Sequence, residues 1–89
     1  MEREIKILIV EDDAAVREGL RMLIDGSIGY RCIAACPSAE EALKILPGEI
    51  PDVVLMDINL PGMNGIECVS FIKPLYPDIQ VMMLTVFDN

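Results

Sequence analysis

Eighty-nine residues make a single domain with a modest core, because a chain of this length buries roughly two-thirds of the surface it exposes when unfolded. Its 53% hydrophobic content suits strands covered on both faces rather than a half-wet sheet. Fifteen acidic residues against 7 basic ones leave a net charge of −8, which argues against direct contact with nucleic acid phosphates or an anionic membrane and favours cations as partners.

Met1-Glu2-Arg3-Glu4 leads straight into an apolar run with no signal-peptide layout, and no stretch approaches the ~18 apolar residues of a membrane span, so a soluble, cytoplasmic protein is expected. Ile5 to Val10 is short and rich in β-branched residues, which predicts a strand. It ends on Glu11-Asp12-Asp13, where Asp13 can cap a helix whose apolar stripe is Val16, Leu20, Leu23 and Ile24. Gly26 and Gly29 stop that helix, and Tyr30 to Cys36 reads as a second strand. Ser38 with Glu41 forms a capping box for a second helix, carrying Ala39, Ala42, Leu43 and Leu46 inward as far as Pro47-Gly48. Val53 to Met56 predicts a third strand, buried on both faces and closed by Asp57. Pro61 and Gly65 shape the following loop and the entry to a third helix, which turns Ile66, Val69 and Ile72 inward and ends near Lys73 because Pro74 lacks an amide hydrogen. Ile79 to Leu84 is a fourth strand that runs into Thr85.

Strands alternating with helices predict right-handed crossovers, one parallel sheet, and helices on both faces. All carboxyl ends then share one edge, where open α/β folds place their ligands. Glu11, Asp12, Asp57 and Thr85 converge there, and strands about 4.8 Å apart let the acids of the first and third share one ion if those strands are neighbours. A second account of Asp57 stays open at this point, since Asp57 and Asn59 are both good Asx-turn residues. No histidine is present, which removes catalytic triads and His-ligated zinc. Cys32, Cys36 and Cys68 are odd in number and lack CxxC spacing, so they read as small buried hydrophobes.

Three stretches, Ile-Leu-Ile-Val-Glu-Asp-Asp at 7–13, Met-Asp-Ile-Asn-Leu-Pro-Gly-Met-Asn-Gly at 56–65 and Met-Leu-Thr at 83–85, resemble in order and spacing the receiver domain of bacterial two-component response regulators. The resemblance covers residues 1–89. It implies a flavodoxin-like three-layer α/β fold with a parallel sheet of order 2-1-3-4-5. It also implies that Asp57 accepts a phosphoryl group from a sensor histidine kinase, that Thr85 hydrogen-bonds that group as a switch, and that Glu11, Asp12, Asp57 and the Asn59 backbone carbonyl hold Mg2+. Such a domain is a signalling module and not an enzyme beyond its own phosphorylation and dephosphorylation. The physics agrees on the ion, since magnesium takes oxygen ligands, keeps several waters and needs only one or two carboxylates. The closing Leu-Thr-Val-Phe-Asp-Asn is similar to the subfamily that precedes a helix-turn-helix DNA-binding domain and regulates transcription.

The departure from the family is a fifth strand with a phosphoryl-pairing lysine and a nearby aromatic residue, which these 89 residues lack together with the last helices. Lys6, Lys44 and Lys73 are expected in the wrong places to substitute. The sequence thus reads as a receiver incomplete at its C-terminus, or as one that self-associates through an exposed fourth strand. Two other classes are weighed: a catalytically incomplete, receiver-like interaction or dimerisation module, and a fragment of a haloacid-dehalogenase-like phosphatase. The latter wants a second aspartate where Asn59 stands.

Overall fold

The computed structural model describes residues 3–84. In chain order they form β1 (Ile5–Val10), α1 (Ala14–Asp25), β2 (Tyr30–Cys36), α2 (Ala39–Ile45), β3 (Val53–Asp57), α3 (Gly65–Leu75) and β4 (Gln80–Leu84). The strands make one sheet of order β2-β1-β3-β4, and every neighbouring pair is parallel. The expected neighbours β1 and β3 are joined with Ile9 opposite Leu55 and Val10 opposite Met56.

Side chains alternate across a strand. Leu8 and Val10 of β1 and Val54 and Met56 of β3 therefore share one face, where they pack against Ala39, Ala42 and Leu46 from α2 and its end and Cys68 and Ile72 of α3. Ile7 and Ile9 are buried on the opposite side. Helix α1 packs against β1 and β2 but has no fully buried residue. Its stripe is narrower than expected: Val16, Leu20 and Ile24 are half-buried, while Leu23 is 70% exposed. Leu23 lies about 60° round the helix from Leu20, enough to leave the line of contact.

Asp13 caps α1 as expected, accepting from the amides of Ala15 (2.9 Å) and Val16 (3.0 Å). Of the expected Ser38–Glu41 box only one half forms, the Glu41 amide donating to Ser38 Oγ. The full capping box is at α3, where Asn64 Oδ1 accepts from the Glu67 amide (2.9 Å) and Glu67 Oε1 accepts from the Asn64 amide (3.2 Å). Helix α3 differs from expectation in two ways. It continues through Pro74 to Leu75, because in the last turn proline removes a single ladder bond and the Tyr76 amide still reaches the Ile72 carbonyl at 2.8 Å. It also buries Gly65, Cys68 and Ile72, whereas Ile66 is 64% exposed.

That rotation follows from Gly65. The start of α3 lies so close to the end of β3 that a Cβ on Gly65 would stand 2.2 Å from the Asp57 carbonyl oxygen and 3.0 Å from Met56 Cγ. Ile66, about 100° further round, points outward. The cysteines behave as small hydrophobes: Cys36 and Cys68 are buried and burial pushes both thiols up to about 11, while Cys32 is half-buried. Among the described residues no helix is long and apolar enough to cross a membrane.

Replacing Gly65 by Ala should improve helix propensity by at most ~1 kcal/mol and overpack a backbone contact at a cost of about 2–3 kcal/mol, so sterics win. We expect a lower urea midpoint for Gly65→Ala, with the Asp57 amide resonance displaced. A midpoint at or above that of the wild type would show that β3 and α3 can part without cost.

Candidate functional site

The β1–β3 pairing delivers Glu11, the residue after β1, beside Asp57, the last residue of β3. Glu11 is 1% and Asp57 3% exposed, whereas Asp12 faces solvent. One carboxylate oxygen from each of the three lies within 4.8 Å of the others. The expected convergence of these acids is therefore present in the fold.

Each buried carboxylate is steered by the chain two residues on. Glu11 Oε2 accepts from the Asp13 amide (2.9 Å) and Asp57 Oδ1 accepts from the Asn59 amide (3.0 Å). The Asx-type turn at Asp57 is therefore present, and it is compatible with the place of the Asp57 carboxylate in the acidic cluster. Glu11 Oε1 is buried with no hydrogen-bond donor among the described residues. Burial is the main reason the Glu11 carboxyl is pushed up to about 7; the Asp13 amide opposes this, and the neighbouring Asp12 and Asp57 carboxylates add to it.

An orphaned buried acceptor among three acids is the chemistry of a small divalent cation with oxygen ligands. The residues present fit magnesium: two buried carboxylates and an exposed one with their oxygens gathered at one point, while the expected fourth ligand, the Asn59 carbonyl, makes no backbone hydrogen bond among the described residues. Around this cluster the β3–α3 loop is held on several sides. Ile58 donates to the Leu84 carbonyl and accepts from the Gly65 amide, both at 3.2 Å. Leu60 is buried in the core, and Glu40 of α2 accepts from the Met63 amide at 3.1 Å, beside Gly62 with its left-handed φ of 72°.

Thr85 lies outside the described residues, but its neighbour Leu84 is paired with Asp57 in the sheet. None of the three lysines stands at this edge: Lys6 is the second residue of β1, at the opposite end, Lys44 is in the last turn of α2, and Lys73 Nζ donates to the carbonyls of Ile79 (2.7 Å) and Pro77 (3.2 Å). Sequence reasoning missed two contributors, Glu40 and Arg17, and read Gly65 as loop shape and helix entry without its close approach to Asp57. Arg17 Nη1 donates to the carbonyls of Glu11 and Asp12. All three act through contacts with backbone that is distant or out of register, which no periodicity announces.

Residues 7–89 match the family described as the response regulator receiver domain. The transcriptional regulatory protein DegU of Brevibacillus brevis is 33% identical over 88 residues, covering 99% of this chain and 37% of DegU. The protein-glutamate methylesterase/protein-glutamine glutaminase 2 of Paramagnetospirillum magneticum is 42% identical over 90 residues, covering all of this chain and 26% of that protein. The chain thus spans well under half the length of these curated relatives. Among solved structures, a two-component response regulator of the LuxR family from Aurantimonas sp. SI85-9A1 superposes with a TM-score of 0.87 at 34% identity, over 97% of this chain and 61% of that one. With a family match through nearly every residue and structural agreement over all four strands, the chain belongs to the response regulator receiver domain family.

Proposed function

We propose that residues 1–89 act as the phosphoacceptor module of a two-component response regulator in the cytoplasm, with a sensor histidine kinase as phosphoryl donor. The observation that carries this reading is the buried Glu11–Asp57 pair at the carboxyl edge of the sheet, with one oxygen that finds no donor among the described residues. Asp57 is the nucleophile in this proposal. Its Oδ1 is engaged by the Asn59 amide, so Oδ2 attacks phosphorus; the O–P bond forms as the donor's bond to phosphorus breaks. Glu11, Asp12, Asp57 and the Asn59 carbonyl would hold Mg2+, which when bound neutralises negative charge on the transferred group. Thr85 is placed by the proposal as the hydroxyl donor to a phosphoryl oxygen, one residue beyond the Leu84–Asp57 pair. Relatives carry such domains into a transcriptional regulator and into a methylesterase/glutaminase. The output proposed here is transcription regulation, driven by a change in partner contacts when Asp57 is phosphorylated.

Magnesium should bind with a Kd on the order of millimolar, as expected of a small, open oxygen site, and Asp57→Ala should abolish binding. The Glu11 carboxyl gives a pH signature. Because its value in the fold is raised from 4.5 to about 7, the metal-free fold holds a proton that the unfolded chain releases, so metal-free stability falls as pH rises from about 4.5 to about 7. The cation displaces that proton, so affinity should rise through pH 7 with proton release on binding, read by calorimetry in buffers of different ionisation enthalpy. Magnesium affinity independent of pH between 6 and 8 would remove Glu11 from the site.

Acetyl phosphate with magnesium should give a base-labile, acid-stable acyl phosphate on Asp57, absent in Asp57→Asn. Labelling of the 89-residue chain should be slower than that of a version with a lysine at this edge, because without a basic side chain there magnesium alone offsets the phosphoryl charge in the cleft. Equal rates would show that such a lysine is dispensable.

Strand β4 is an edge of the sheet among the described residues, with Met82 58% exposed. We therefore propose self-association of the 89-residue chain through Gln80–Leu84. Light scattering at tens of micromolar should report a dimer or larger species, and a stable monomer would contradict it.

A further inference from the structure

We infer that Arg17 is a positioning residue for the cation site, acting through the backbone of the two acids that follow β1. This inference rests on the reading of Glu11, Asp12 and Asp57 as a magnesium site. Arg17 lies in the first turn of α1, half-buried, and a guanidinium so near three acids is expected to pair with a carboxylate. It does not. Among the described residues it makes no ion pair, and its Nη1 instead donates to the main-chain carbonyls of Glu11 (2.9 Å) and Asp12 (3.3 Å).

The contact closes a small ring of bonds. The Arg17 amide donates to the Asp13 carbonyl (2.9 Å), the Asp13 amide donates to Glu11 Oε2 (2.9 Å), and the Glu11 amide continues the sheet ladder to the Cys36 carbonyl (3.0 Å). The end of β1, the loop and the start of α1 are thereby one unit. Asp12 gains most from it, because its exposed carboxylate has no hydrogen bond of its own among the described residues and is aimed only by its backbone. By using carbonyls, Arg17 fixes that backbone without occupying a carboxylate oxygen, so the oxygens not engaged by the Asp13 and Asn59 amides stay open to a cation. Partners that orient metal ligands without touching the metal typically change affinity by about 10–100-fold when removed.

The sign of the effect separates positioning from simple electrostatics. Removing a positive charge beside a cation site strengthens cation binding if charge is all that Arg17 supplies. Loss of positioning weakens it. Magnesium titrations of the 89-residue protein, followed by calorimetry and by the amide resonances of Asp12, Asp13 and Asp57, should show Arg17→Ala raising Kd about tenfold. The Asp12 and Asp13 amides should already be displaced in the metal-free variant. Arg17→Lys keeps the charge but loses the rigid fork, and should raise Kd by a smaller factor; it decides the matter if Arg17→Ala does not fold. Arg21→Ala, on the same helix and paired among the described residues with Glu18 and Asp25, should leave Kd within twofold. An unchanged or lower Kd in folded Arg17→Ala, an unchanged Kd in Arg17→Lys, or an equal loss in Arg21→Ala overturns the inference while the site reading stands. A wild-type protein that binds magnesium no better than Asp57→Ala overturns both.

Discussion

The parallel pairing of β1 with β3 is the constraint on which the rest of the molecule depends. Parallel strands end at the same edge, so the register that sets Val10 beside Met56 also sets Glu11 beside Asp57. An antiparallel pair would have put these acids at opposite ends of the sheet. What holds the register is apolar: Leu8, Val10, Val54 and Met56 are each fully buried against α2 and α3, and each such burial is worth about 1.5–3 kcal/mol. Sequestering a carboxylate costs several kcal/mol, so this packing is what makes two buried acids tolerable in so small a domain.

The sequence disclosed those parts of the site that depend on local pattern. Four short apolar runs announced the strands; β1 and β2 lie where expected, β3 gains Asp57, and β4 starts one residue later, at Gln80. Asp57 and Glu11 were visible because each is a charge directly after an apolar run, a conflict that ordinary packing does not explain. The parts that stayed hidden involve partners far apart in the chain. Gly65 looked like loop shape, but its reason is the Asp57 carbonyl 2.2 Å from where a Cβ would be. Ile66 and Leu23 fit a helical stripe and still face solvent, because the width of a stripe is set by what the helix packs against. Pro74 read as a stop because its missing amide was weighed without its place in the last turn, where only one ladder bond is lost and the Tyr76 amide still reaches the Ile72 carbonyl. The Asn64–Glu67 capping box was legible in principle, being Asn three residues before Glu, and was obscured by reading that stretch as part of the turn.

Charge is distributed in a way that composition alone did not reveal. The five ion pairs of the described residues join Arg3 to Asp52, Arg21 to Glu18 and Asp25, and Arg31 to Glu4 and Glu49; none involves Glu11, Asp12 or Asp57. Such exposed pairs contribute little to stability, around 0–1 kcal/mol each. The basic residue nearest the acids, Arg17, turns to carbonyl oxygens, and Lys73 does the same at the far end of α3. Among the described residues the acids at the carboxyl edge are therefore left without a basic side chain paired to them. That arrangement is costly for the fold alone, and binding of an external cation to the native state offsets the cost by mass action.

The same lack of neutralisation makes the site responsive to further charge. In the proposed reading, a phosphoryl group on Asp57 would replace one negative charge by about two, a net gain of roughly one beside Glu11 and Asp12, and the added repulsion has few outlets because Asp57 is packed from behind by the start of α3. The movable connections are hydrogen bonds rather than packed side chains: Glu40 to the Met63 amide, and the Ile58 amide to the Leu84 carbonyl. The first leads from the β3–α3 loop to α2 and the second to the end of β4. Both are single bonds of modest net worth, about 1 kcal/mol, whereas the apolar core beneath them is worth several times more. A charge change at Asp57 is therefore expected to shift the loops and the end of β4 while the sheet and its buried face stay in place, carrying a local chemical event outward without unfolding the domain.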